Sequence, residues 1–208
     1  MRSLEAVGLN VSRETLDKLE TFSELLKRWN PRINLVSTRD IERVWERHIV
    51  DSAQIYPHLA GHDGVWVDIG SGGGFPGIVT AIIATEENPS ADVHLIESDQ
   101  RKCAFLRQVA REIALPITVH AKRVEATETK NVSIITARAF ASVTKILDMT
   151  TGLRSEMTKY LLLKGRTYES ELTEAEQSWK LKVETIPSRT DPEGTILALT
   201  EVCSRHDI

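Results

Sequence analysis

The 208-residue chain has only two cysteines, Cys103 and Cys203. They lie far apart with no paired or metal-type spacing around either, so neither a disulfide framework nor a cysteine-based metal site is expected. Long apolar runs are missing as well. No stretch reaches the roughly eighteen uninterrupted apolar residues of a spanning helix, and the opening MRSLEAVGLNVSRETL has no cationic start leading into an apolar core. The expectation is a reducing, cytoplasmic setting. Strong net charge is absent too: at −4, the chain is not one that coats nucleic acid without discrimination. Repeats and low-complexity segments are lacking.

Charge is nevertheless unevenly spread. Lys27 to Arg47 holds six Lys/Arg against three Asp/Glu, and Arg101 to Arg123 holds six against one. With 41% hydrophobic side chains, the length suits one globular domain plus an appendage. Two segments are expected, a helical N-terminal extension over 1–60 and a domain over 61–208. Leu16, Leu19, Phe22, Leu25, Leu26 and Trp29 recur at helical intervals, with Ser12 as cap and Asn30-Pro31 as stop. A second helix over 41–49 is led by Asp40 as N-cap. Trp29 and Trp45 fall at core spacing. His48 and Asp51, one helical turn apart, are expected to make a buried hydrogen bond that fixes the extension to the domain.

After Gly61-His-Asp-Gly64 the period changes. VWVDI (65–69), VHLIE (93–97), ITVH (117–120), VSIITA (132–137) and YLLL (160–163) alternate with helical stretches at 76–86, 99–113, 142–152 and 169–180. That alternation predicts βαβ units on a parallel sheet. LKVETIP (181–187) and TILALTEV (195–202) are separated by too little chain for a crossover helix, so they are expected to pair antiparallel at one edge.

The stretch WVDIGSGGGFPGIVTAII (66–83) is a strand, a glycine turn and a helix, the arrangement that offers backbone N–H donors to a bound group at a helix's positive end. Gly72-x-Gly74-x-x-Gly77 satisfies a dinucleotide pattern, which alone is weak. The overlapping Asp68-x-Gly70-x-Gly72-x-Gly74 suits instead a ligand with a cationic sulfonium and an amino acid moiety, whose amino group Asp68 would hold directly or through water. Glu97, at the end of the next strand, is placed to accept from ribose hydroxyls of either ligand. Lys122-Arg-Val-Glu125 follows the third strand, where a loop can meet an adenine ring. In an open α/β sheet these carboxyl ends converge on the ligand.

Seven separated motifs, RWNPRINLVS (28–37), RHIVDS (47–52), VDIGSGGGFPGI (67–78), ESDQRKCAFLRQVARE (97–112), RVE (123–125), ARAFAS (137–142) and LLLKG (161–165), make the chain resemble the RsmG family, also called GidB. These are bacterial small-subunit ribosomal RNA methyltransferases that methylate guanine N7. The resemblance implies a class I methyltransferase fold, a Rossmann-like seven-stranded, mostly parallel sheet with an antiparallel edge strand and a helical N-terminal extension, with S-adenosylmethionine (SAM) as methyl donor. Cofactor contacts implied by the resemblance are Gly70, Phe75, Val124, Glu125 and Arg138, beside Gly72, Gly74 and Glu97 from the glycine pattern and the end of the second strand. Similar proteins more often carry Leu at the place of Phe75 and Ala or Pro at that of Gly73.

Guanine N7 has an in-plane lone pair and no hydrogen, so the implied reaction needs no general base, only alignment. Arg138 and Lys164, after the fourth and fifth strands, are the catalytic candidates: Arg138 as pocket organiser near the cofactor, Lys164 as a contact to RNA or to guanine O6. The arginines of the extension, Arg28, Arg32, Arg39, Arg43 and Arg47, would track phosphates of 16S ribosomal RNA, within the small subunit or an assembly intermediate. Two other readings stay open at this point: a nicotinamide-dependent oxidoreductase, for which no proton-relay constellation is found, and a SAM-binding sensor that grips RNA without transfer.

Overall fold

The computed structural model describes residues 4–205, so residues 1–3 of the expected extension and 206–208 of the expected domain lie outside the described residues. The first helix, α1, spans Arg13–Ile33 and is capped by Ser12, whose Oγ accepts from Thr15 N at 3.1 Å. It does not stop at Pro31, which sits inside its last turn. Only one intrahelical donor is lost there, and the buried Asn30 side chain offsets the loss: its Oδ1 accepts from Leu35 N at 2.8 Å and Val36 N at 2.9 Å. Asn34, at φ 47°, closes the helix in the left-handed region.

The expected second helix is broken up. A 3₁₀ turn, Ile41–Arg43, leads to a π-helical stretch, Trp45–Val50, that runs into a short α2, Asp51–Ala53. Asp40 does not cap it; its carboxylate accepts instead from Ser37 Oγ at 2.6 Å.

From there the alternation holds. The strands are β1 (Gly64–Ile69), β2 (Ala91–Ile96), β3 (Ile117–His120), β4 (Val132–Arg138), β5 (Lys159–Lys164), β6 (Trp179–Pro187) and β7 (Thr195–Ser204), with α3 (Gly77–Glu87), α4 (Gln100–Glu112), α5 (Val143–Met149) and α6 (Tyr168–Ser178) between them. They form one seven-stranded sheet of order β3-β2-β1-β4-β5-β7-β6, in which β7 runs antiparallel to both its neighbours. The central parallel strands β1, β4 and β5 are buried on both faces along most of their length, as their apolar runs require, while the edge strand β3 is partly exposed. Trp66 and Ile134 point into a core shared with α1, α3 and α4; Val67 and Ile135 point into a second core under α5 and α6. Trp45 is buried in the first of these cores and Trp29 packs on Phe105, ring centroids 5.7 Å apart, so both tryptophans serve packing. Among the described residues no helix is long and apolar enough to cross a membrane.

Candidate functional site

At the carboxyl ends of β1, β2 and β4 lies a cavity of about 560 Å³, here the glycine-turn cavity. Its wall includes Gly70, Gly72, Phe75, Glu97, Val124, Glu125 and Arg138. Seven of the eight residues expected at the cofactor thus surround one space. Gly74 does not: at φ +93°, it packs beneath the turn, where an added Cβ would lie 2.6 Å from Ile78 Cγ1 and 3.2 Å from Phe22. Gly70 and Gly72 also take left-handed angles, +63° and +53°, that other residues seldom adopt. Gly73 has an ordinary angle, but a Cβ there would come within 3.1 Å of Leu35 O. A side chain at 73 therefore requires the Leu35 backbone of the extension to give slightly. Phe75 fills the space between α1 and the π-helix, its ring 5.3 Å from Phe22 and 5.0 Å from His48.

Glu97 is pinned at both oxygens. Oε2 accepts from Gly72 N at 2.9 Å and Oε1 from Asp99 N at 2.8 Å, which fixes the carboxylate beside the turn and leaves each oxygen a further lone pair. Asp68 departs from expectation. It is sealed under the turn at 2% exposure, its Oδ1 accepts from Thr136 Oγ1 at 2.8 Å, and it does not line the cavity. Burial pushes its carboxyl up to about 7. The strand alternation that buries Val67 and Ile69 against one core turns Asp68 toward the opposite face, under the start of α3, so it supports the turn from below.

A second cavity of about 450 Å³ adjoins the first, between the ends of β4 and β5 and the β6–β7 loop; we call it the hairpin cavity. Arg138, Ala139 and Phe140 line both. Arg138 joins β4 to the extension: its Nε meets Asp51 Oδ2 at 3.0 Å, Nη1 meets His48 Nδ1 at 2.8 Å and Nη2 donates to Arg47 O at 2.8 Å. A guanidinium only donates, so His48 Nδ1 accepts and its proton resides on Nε2. Burial, with the Arg138 charge beside it, pulls His48 down to about 4. His48 and Asp51 thus act together, as the RHIVDS spacing predicted, but through the arginine rather than through each other.

Lys164 is held more tightly than an open rim residue. Its Nζ donates to Ala141 O at 2.5 Å and to Glu171 Oε2 at 2.7 Å, and its side chain is 9% exposed. Burial opposes ionisation of Glu171, yet the Lys164 bond and charge outweigh it and leave the carboxyl below its ordinary value. Gln54 ties the extension to the β6–β7 loop, accepting from Arg189 N at 2.8 Å and donating to Ser188 Oγ at 3.0 Å, while Thr190 donates to Asp51. Glu171, Gln54 and Phe140 were not singled out from sequence. Phe140 stood inside the ARAFAS motif, but nothing in its local pattern distinguishes an exposed aromatic from a packed one. Arg28, Arg32, Arg39, Arg43 and Arg47 are all exposed. Of the second basic island, Lys102, Lys122 and Arg123 reach the glycine-turn cavity.

The same architecture occurs in the crystal structure of ribosomal protein L11 methylase from Lactobacillus delbrueckii subsp. bulgaricus, TM-score 0.59 at 12% identity over 74% of this chain and 78% of that one. A SAM-dependent methyltransferase from Aquifex aeolicus aligns at TM-score 0.58 and 10% identity, covering 85% of this chain and 97% of that one. With the glycine turn and the acid after β2, that likeness defines the fold class, the class I methyltransferase type of sheet. The particular family follows from closer relatives. The family model described as "GidB: rRNA small subunit methyltransferase G" matches residues 15–196. Proteins named ribosomal RNA small subunit methyltransferase G are 48% identical in Rhodospirillum centenum, over 95% of this chain and 89% of that one, and 49% identical in Gluconobacter oxydans, over 92% and 96%. The chain belongs to the small-subunit rRNA methyltransferase G family.

Proposed function

We propose that the protein transfers a methyl group from SAM to N7 of a guanine in 16S ribosomal RNA, in the cytoplasm, on the small subunit or an assembly intermediate. SAM fits the glycine-turn cavity. The bare turn admits a ligand against its backbone, Glu97 keeps lone pairs for ribose hydroxyls, and Val124 with Glu125 borders the space an adenine needs. Bound there, SAM supplies an electrophilic methyl on a sulfonium. The base enters through the hairpin cavity and meets the methyl at the shared wall of Arg138, Ala139 and Phe140.

One observation carries this reading. Three carboxylates face the hairpin cavity and each has a cationic partner: Asp51 with Arg138 at 3.0 Å, Glu171 with Lys164 at 2.7 Å, Asp191 with Arg47 at 3.4 Å. A carboxylate oxygen that already accepts from a cationic side chain has that lone pair committed and is less free to take a proton from a substrate. Guanine N7 needs none, whereas an amino or hydroxyl acceptor loses a proton on methylation. Catalysis then rests on holding N7, methyl carbon and sulfur in line, an effect that reaches roughly 7–11 kcal/mol. Arg138 organises the shared wall, Lys164 anchors the loop after β4, and the exposed arginines of the extension, residues 1–60, follow phosphates.

The test is transfer of labelled methyl to small subunits from cells lacking this protein, and to their stripped RNA, with the product mapped by nuclease digestion and mass spectrometry. A single N7-methylguanine is the expected product. Methyl on another atom refutes the acceptor. Tight SAM binding with no transfer to either substrate supports the sensor reading instead.

A further inference from the structure

We infer that Phe140 is the platform on which the target base stacks while it is methylated. The inference rests on the reading above only in that a base of the RNA enters the hairpin cavity; it does not depend on which atom accepts the methyl.

Three features converge on this residue. Phe140 is one of two large hydrophobic side chains exposed among the described residues, at 36%, and the one of the two that lines these cavities. It lines both, so its ring stands between the space assigned to the cofactor and the space assigned to the base. One side of the ring rests on the glycine turn, in the volume a side chain at Gly70 would need: a Cβ there would fall 2.1 Å from Phe140 Cδ2.

The backbone that presents the ring is fixed on both sides. Ala139 sits at φ +49°, a region that non-glycine residues seldom adopt and that clusters at ligand clamps. Lys164 Nζ holds Ala141 O at 2.5 Å, and Glu171 Oε2 accepts from Val143 N at 3.1 Å. An apolar ring placed at a polar junction, by a strained residue before it and a partly buried ion pair after it, is not explained by core packing.

Stacking also suits the chemistry better than a polar contact at that place. A ring face grips a base without touching its in-plane lone pairs, so the attacking atom stays free. As the methyl arrives, an N7-methylated purine gains positive charge, and a π face attracts a cation where Arg138 alone would repel it. A stacked ring therefore binds the product-like state more strongly than the starting base.

Phe140→Leu, Phe140→Tyr and Phe140→Trp in the full chain separate this from a structural role. Each is assayed for methyl transfer to unmodified small subunits, for SAM affinity by calorimetry and for melting temperature. Phe140→Leu should lower kcat/KM by roughly 5- to 150-fold, the worth of one stacked base, with SAM affinity within a few-fold of wild type. The Tyr and Trp variants, which restore an aromatic face, should recover transfer to within a few-fold, a readout that holds even if the Leu variant folds poorly. Wild-type transfer by Phe140→Leu overturns the inference. So does a loss of SAM affinity equal to the loss of transfer, which would make the ring a wall of the cofactor cavity, or failure of both aromatic variants. If the wild-type product carries its methyl elsewhere than N7, the guanine-N7 reading falls while the fold-changes still report the stack.

Discussion

Replacing Arg138 by alanine tests how the extension is locked to the sheet. The substitution removes an ion pair to Asp51 at 3.0 Å, a bond to His48 Nδ1 at 2.8 Å, a bond to Arg47 O at 2.8 Å and a guanidinium 5.8 Å from the centroid of the Phe75 ring. Breaking a buried pair by removing one partner costs about 3–5 kcal/mol. Here Asp51 keeps Gln54 Nε2 at 2.8 Å and the Thr190 hydroxyl. Its side chain and that of Arg138 are also 15% and 19% exposed. The cost therefore falls below that range, at about 2–3 kcal/mol. Urea unfolding followed by tryptophan fluorescence should show the midpoint falling with the slope unchanged. A cycle with Asp51→Asn should return a coupling between about 0.5 and 3 kcal/mol. His48 supplies an independent readout: without the neighbouring charge its pKa should rise from about 4 but stay below 6.5, since burial remains the larger cause. An Arg138→Ala protein within about 0.5 kcal/mol of wild type, with an unmoved His48 titration by NMR, would refute the reasoning.

Three further outcomes are expected. Gly72→Asp puts a carboxylate into the turn at φ +53° beside the Glu97 oxygen that accepts the Gly72 N–H, so calorimetry should show SAM binding abolished; unchanged affinity would mean the cradle lies elsewhere. Lys164→Ala releases the loop after β4 and should cut methyl transfer by about tenfold or more, the equivalent of one charge-assisted bond, with SAM affinity within a few-fold; equal loss of both would move Lys164 to the cofactor side. Asp68 titrates at about 7 in the fold against 3.8 ordinarily, so the folded state holds its proton more firmly. Its stabilising contribution is complete below about 3.8 and is lost as pH rises through about 7, by no more than about 4 kcal/mol. Asp68→Asn should remove that decline from the pH profile of urea stability, and parallel profiles for the two proteins would contradict it.

Much of the architecture was legible because period and strand length are local signals. The switch from helical spacing to short apolar runs after Gly64 located the sheet, and the short link between residues 187 and 195 required β6 and β7 to pair antiparallel. What was not legible depended on contacts far along the chain. Pro31 looked like a helix stop, because the compensation comes from the Asn30 side chain folding back on Leu35 and Val36. Asp68 reads as a ligand contact from the glycine pattern, and it is the strand alternation, with Val67 and Ile69 facing the other core, that turns it under α3. Arg138 and Lys164 were placed at the right strand ends, but their partners Asp51 and Glu171 belong to elements whose relative position no spacing encodes. Phe140 was missed for the same reason: its exposure follows from the Ala139 backbone and the two cavities it divides.

The bonds between Gln54 and Ser188, Arg189 and Thr190 impose an order of events on synthesis. A chain emerging from the ribosome presents residue 54 long before residue 188, and domains generally fold from the N-terminal side as they appear. Arg138 can engage Asp51 as soon as β4 is made, but the Gln54 amide must wait, solvated, until the last hairpin is released. Arrest of translation before residue 188 should leave the chain around Gln54 more open to proteases than α1, and adding the hairpin should close it in a late step.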